Sequence, residues 1–260
     1  MSNDILKFKI DNGIATVTLN RPKRKNALSI ELSNQLTDIW ESIDDNDEVK
    51  VIILTSTDCG VFCAGMDLKE AAEIHERGDK DILEYVRDPM HQKMRDVKKP
   101  IIAAMTGHMM AGGMLLALNS DLRVGLAETK AGITEVKIGR GSPWAMPLIS
   151  MLPQPILMEL VLTGELMPIE RLEQFGFINY VEDTPDEVRA NAMKLARAIV
   201  TGAPLSVRAA KASILAAMNM GCDAAFQEAL KIHEPAYAST DAIEGPKAFA
   251  EKREPEWQGK

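Results

Sequence analysis

Two segments place backbone donors where they could do chemistry. Val61-Phe62-Cys63-Ala64-Gly65-Met66-Asp67-Leu68-Lys69-Glu70 runs from a strand through a glycine turn into a helix starting near Met66. Gly107-His108-Met109-Met110-Ala111-Gly112-Gly113-Met114 repeats that order of strand, glycine-rich turn and helix. The first amides of a helix lack partners within it and sit at the positive end of its dipole. They can face an anion, or an oxygen on which negative charge develops during a reaction. Two such donors aimed at one point form an oxyanion hole. Two ordinary glycine turns with no shared target is the alternative, and local spacing does not choose between them.

The surrounding elements would have to position these loops. Phe8–Ile10 and Ile14–Leu19 flank Asp11-Asn12-Gly13, a hairpin signal, and Asn20-Arg21-Pro22 ends the second strand. Leu28, Leu32, Leu36, Ile39, Trp40 and Ile43 recur at helical spacing, with Ser29 as the cap. Val49–Leu54 and Ile101–Met105 are apolar runs expected as buried strands. Helices are predicted over Leu68–His75 and Ile82–Val97, separated by Gly78-Asp79, and over Met114–Leu118, before a strand at Leu122–Leu126. Strands alternating with helices predict an α/β architecture. Beyond Pro143 helical patterns dominate, at Ile156–Leu162, Ile169–Phe175, Glu187–Val200, Ser206–Met218, Ala224–His233 and Asp241–Lys252. Thr201-Gly202-Ala203-Pro204 breaks that run, and the helices after it need a neighbour to cover them.

Composition excludes several classes. The 260 residues carry 30 Lys and Arg against 38 Asp and Glu, a net charge of −8. Such an acidic chain is not expected to bind nucleic acid or anionic lipid through bulk charge. With 46% hydrophobic residues it is a folded globular chain. Cys59, Cys63 and Cys222 are too few for a disulfide framework, and no Cys/His pair completes a zinc site near Cys59 and Cys63. No secretory leader is visible in Met-Ser-Asn-Asp, and no stretch resembles a membrane span, so the expected location is the cytoplasm.

An ordered set of motifs over nearly the whole chain resembles the crotonase (enoyl-CoA hydratase/isomerase) family. It comprises both glycine segments, Asn20-Arg21-Pro22 with Asn26-Ala27-Leu28, and Lys99-Pro100-Ile101-Ile102-Ala103-Ala104. Leu162-Thr163-Gly164-Glu165, Phe175-Gly176-Phe177-Ile178-Asn179 and Pro204-Leu205-Ser206 follow. The resemblance implies a spiral of ββα turns over residues 1–200, with the acyl-CoA site, and a helical oligomerisation region over 201–260. It implies a homotrimer or a dimer of trimers, an acyl-CoA thioester as ligand, and no cofactor beyond the CoA of the substrate. The oxyanion amides fall on Met66 and Gly112. CoA contacts fall on Lys23, Arg24, Ala64 and Lys69, and, from a neighbouring subunit, on Phe249 and Lys252; a solvated charge run is the alternative for residues 23–25.

Family hydratases carry two glutamates. Glu135 matches the second, whereas Leu115 occupies the place of the first. Leucine can neither hold water nor carry a proton, which puts two-glutamate hydration in doubt. Glu135 as single acid/base fits allylic isomerisation of an enoyl-CoA best. A specialised hydratase or dehydratase, with water held by Glu135 alone or with a group such as His91, is one alternative, and a non-catalytic acyl-CoA-binding protein is the other. The acyl pocket is expected to include His91, Met110, Leu115, Arg140 and Trp144. Arg140 could keep Glu135 ionised, bind a substrate carboxylate or serve as a structural ion-pair partner. His108 is assigned packing or hydrogen bonding, and no metal is expected.

Overall fold

Asn12 and Gly13 take positive φ, 49° and 82°, the backbone that a two-residue primed turn requires. They join β1 (Leu6–Asp11) to β2 (Ile14–Leu19) in antiparallel register, with Leu6 opposite Leu19. These and the following descriptions come from a computed structural model, which describes residues 4–78 and 81–260; Asp79 of the predicted Gly78-Asp79 break and the first three residues lie outside them.

The Ser29 side chain accepts from Leu32 N at 3.2 Å and caps α1 (Ile30–Ser42), whose Leu32, Leu36 and Trp40 are buried. The chain then winds. β3 (Val51–Ser56) and β4 (Val61–Cys63) precede α2 (Leu68–Glu76). After α3 (Gln92–Asp96), β5 (Ile101–Met105) and β6 (His108–Met110) precede α4 (Gly112–Leu118). β7 (Leu122–Leu126) and β8 (Lys130–Gly132) precede a 3₁₀ turn at Glu135–Ile138. Beyond a second 3₁₀ stretch, Pro143–Ser150, lie α5 (Gln154–Thr163), β9 (Met167–Pro168), α6 (Ile169–Gln174) and β10 (Tyr180–Glu182). The chain finishes with α7 (Pro185–Val200), α8 (Pro204–Ala217), α9 (Cys222–Tyr237) and α10 (Asp241–Glu251).

Among the described residues one sheet has the order β1-β2-β3-β5-β7-β10 and a smaller one β4-β6-β8-β9. Each winding therefore adds one strand to each sheet, the expected spiral of ββα turns. The apolar runs are continuous because both faces of the large sheet are covered. Ile52, Leu54, Ile101 and Ala103 join the main core, while Val51, Ile53, Ile102 and Ala104 pack with Val188, Ala192 and Ala196 of α7.

One predicted helix is not formed. Residues 82–97 split into a 3₁₀ turn at Ile82–Tyr85, an extended Val86 followed by a bend and turn over residues 87–90, and the short α3. Pro89 is the reason: it lacks an amide donor and disfavours helical backbone at Asp88. Asp88 instead accepts from the amides of Gln92 and Lys93 at 2.9 and 2.7 Å, starting α3 afresh. Short β8, β9 and β10 escaped the sequence reading, being only two or three residues long.

Candidate active site

β4 and β6 pair in parallel, with Val61 opposite His108, so the loops leaving them lie side by side. They touch through glycine. A Cβ on Gly65, whose φ is +84°, would lie 2.7 Å from Ala111 Cβ and 3.1 Å from Gly112 N. One on Gly113 would lie 2.3 Å from the Cys63 carbonyl oxygen. This contact packs the two turns directly against each other.

The backbone then assigns the donors. Leu28 N donates to Gly65 O at 2.8 Å and Asp67 N to Leu28 O at 2.9 Å, a parallel bridge that leaves Met66 N–H on the opposite side. Gly112 opens α4, where an amide has no intrahelical partner. Neither N–H has a hydrogen bond among the described residues, and Met66 and Gly112 both line one cleft. Helix α2 starts at Leu68, as the Leu68–His75 prediction has it and two residues after the looser estimate near Met66, because Asp67 is its cap.

Asp67 is a clamp beneath this loop. It accepts from Glu70 N at 3.3 Å and pairs with Arg21 and Arg24 at 3.0 and 3.1 Å. Burial pushes its carboxyl up, but the Arg21 hydrogen bond, the Glu70 amide and both guanidinium charges outweigh that and leave it below the usual carboxylate value. Arg24, expected at CoA, pairs with Asp67 while its side chain stays 36% exposed. Lys23 and Lys69 are exposed, and Ala64 lines the cleft. Phe249 and Lys252 lie at the end of α10, outside the cleft wall, with Phe249 86% exposed.

The same cleft is lined by Glu135, held in its 3₁₀ turn after β8. Its Oε1 accepts from Trp144 Nε1 at 3.1 Å, while Oε2 is buried without a partner. Burial raises its pKa, against the lowering pull of its own backbone amide, the Trp144 hydrogen bond and the Arg140 charge. Arg140 lines the cleft with both terminal guanidinium nitrogens on Asp81, at 2.8 Å each, an ion pair formed while its charge also acts on Glu135. Leu115 and Trp144 line the cleft as well.

His91 also lines the cleft, 2% exposed, with φ +47° and its Nδ1 buried without a partner. Burial lowers its pKa to about 4, so the ring is neutral near pH 7. Met110 is a correction: it pairs with Gly132 on β6 and stays out of the wall, to which Met90 contributes instead. His108 Nδ1 accepts from Lys130 N at 2.9 Å, the hydrogen-bonding role expected of it. Sequence reading missed Ile82, Leu83, Val86 and Met90 of the wall, because it made them part of a helix; Asp88-Pro89 was the signal that would have exposed them.

Burial pushes the Cys63 thiol up to about 12, which removes it as a nucleophile at neutral pH. No group of three metal-ligating side chains occurs among the described residues, and none of their helices is long and apolar enough to cross a membrane.

Comparison with known proteins agrees with the fold. The sequence model of a family described as enoyl-CoA hydratase/isomerase matches residues 9–260. The chain is 33% identical over 260 residues to the (E)-benzylidenesuccinyl-CoA hydratase of Thauera aromatica, covering 97% of this chain and 98% of that one. It is 34% identical over 264 residues to the carnitinyl-CoA dehydratase of Escherichia coli K12, covering 99% and 100%. Among solved structures, an enoyl-CoA hydratase from Mycobacterium tuberculosis H37Rv superposes with a TM-score of 0.89 at 36% identity, covering 98% and 99%.

Proposed function

The chain belongs to the enoyl-CoA hydratase/isomerase family, and we propose that it adds water reversibly to the double bond of a 2-enoyl-CoA thioester. The observation that carries this reading is the bare Oε2 of Glu135 in the same cleft as the free amides of Met66 and Gly112. Attack on Cβ moves charge to the thioester oxygen, which the two N–H groups hold as an oxyanion. Glu135 takes a proton from water and returns one to Cα. These are proton transfers and a C–O bond formation, for which carboxylate and amides suffice without a cofactor.

The sequence placed isomerisation first because Leu115 removes a carboxylate. Two observations favour hydration instead: the cleft contains a second bare polar atom, on His91, and the relatives bear the names hydratase and dehydratase. Isomerisation by Glu135 alone remains the second reading, supported by Leu115. Mass spectrometry of 2-enoyl- and 3-enoyl-CoA esters in deuterated water separates them. A product heavier by one water supports hydration; an isomer of unchanged composition apart from deuterium sinks it.

Within this reading Lys23, Ala64 and Lys69 flank the CoA moiety. Phe249 and Lys252 reach the CoA of a neighbouring subunit, and residues 201–260 build the trimer. Exposed Ile214, Phe226, Tyr237, Ile243 and Phe249 on α8–α10 support that assembly.

Trp144→Phe tests what keeps Glu135 ionised. A hydrogen bond to a charged group contributes about 1.5–3 kcal/mol. Its loss is expected to move the acidic limb of kcat/KM up by about one pH unit, at 1.36 kcal/mol per unit. An unmoved limb would mean that the indole only packs.

A further inference from the structure

Leu115 leaves the nucleophilic water of a hydration without a second carboxylate to hold it. We infer that His91 takes that place, so that the water sits between Nδ1 of His91 and Oε2 of Glu135. The inference rests on the hydration reading.

Buried polar atoms without partners are uncommon, since each forfeits a hydrogen bond it made in water. Among the described residues they are Trp40 Nε1, His91 Nδ1, Glu135 Oε2 and Ser213 Oγ. Of these residues only His91 and Glu135 line the cleft that holds the free amides of Met66 and Gly112. A carboxylate oxygen and an imine nitrogen are both acceptors, and water is the small molecule that offers two donors at once.

The backbone of His91 supports the assignment. Its left-handed conformation, φ 47° and ψ 39°, is disfavoured for any residue with a Cβ. Separate contacts hold it there. His91 N donates to Asp88 O at 3.0 Å, and Asn119 Nδ2 donates to His91 O at 3.1 Å. The Asp88 carboxylate takes the next two amides, those of Gln92 and Lys93. Strain that several contacts maintain is a feature of functional positions. Burial keeps the imidazole neutral, so with its proton on Nε2 the other nitrogen is free to accept.

The step balances. Water donates one O–H to His91 Nδ1 and the other to Glu135 Oε2. Its oxygen bonds to Cβ as Glu135 takes the second proton and the π pair moves through Cα to the thioester oxygen. The oxyanion collapses and Glu135 gives that proton to Cα. The hydroxyl keeps its other hydrogen, Glu135 returns to its carboxylate, and His91 stays neutral throughout.

His91→Leu removes the acceptor, and His91→Gln restores one. The readouts are hydration of (E)-2-butenoyl-CoA and (E)-cinnamoyl-CoA, and α-hydrogen exchange of butanoyl-CoA and 3-phenylpropanoyl-CoA in deuterated water. Exchange needs Glu135 and the two amides but no bound nucleophile. His91→Leu is expected to lose about 10²-fold in kcat for hydration, the cost of a misplaced nucleophile. KM and the exchange rate stay unchanged, and His91→Gln recovers most of the loss. If the leucine variant does not fold, His91→Asn, which accepts left-handed backbone but is too short to reach, carries the same expectations. Undiminished hydration in the variant, or hydration and exchange falling together, overturns the inference alone. A wild-type protein that exchanges but hydrates neither ester overturns the hydration reading, and the role of His91 with it.

Discussion

Glu135→Gln is expected to lower kcat by roughly 10²–10⁴-fold, the range that a general acid–base group contributes. The amide keeps the shape of the carboxyl and can still accept from Trp144, but it cannot take a proton from water. Binding of the CoA ester should therefore survive. Stability should move the other way. Burial raises the Glu135 carboxyl above its ordinary value of 4.5. The ionised form is thus less favourable in the folded chain than in the unfolded one, and that cost grows as pH rises through the raised value. Glutamine carries no such charge. The variant at pH 7 should melt at the same temperature as the wild type or higher, while turnover collapses. Unchanged turnover would dismiss Glu135 as the proton carrier; a large fall in Tm would reduce the activity loss to misfolding.

Gly65→Ala is expected to cost about 10²–10³-fold in kcat, the usual loss for one oxyanion donor. Its Cβ would meet Ala111 Cβ at 2.7 Å, the Met110 carbonyl oxygen at 3.0 Å and Gly112 N at 3.1 Å. Two of those atoms are backbone, so the loops must part, and the amides of Met66 and Gly112 part with them. The φ of +84° adds about 1–2 kcal/mol of strain for any residue with a Cβ. Met66→Ala is the control: the donor there is the backbone, so kcat should stay near that of the wild type. Rates on the enoyl-CoA esters and thermal unfolding measure both effects. A Gly65→Ala protein with lowered Tm but full kcat would show that loop contact serves folding only.

The match between sequence and structure is uneven for physical reasons. The Asn12-Gly13 turn and the Ser29 cap were legible because each depends on a few consecutive residues. The buried strands were legible because apolar side chains on both faces leave an unbroken run. Glu135 and Leu115 came from resemblance to a family, not from any local signal. From Ile82 to Val97 the helical periodicity misleads, because Pro89 breaks the backbone that it implies.

By itself the amino-acid sequence determined the pieces: where strands end, where glycine lets the chain turn, and which amides are left over at the turn. Tertiary structure decided what those pieces do together. Parallel pairing of β4 with β6 brings Gly65 against Gly112. Spatial neighbours, not sequence neighbours, pair Arg24 with Asp67 and Arg140 with Asp81. The break at Pro89 turns His91 into the cleft of Glu135 instead of leaving it on a helix. Propensity and capping act over a few residues, whereas a site is made of groups far apart in the chain, and only the packing of the spiral sets which of them meet.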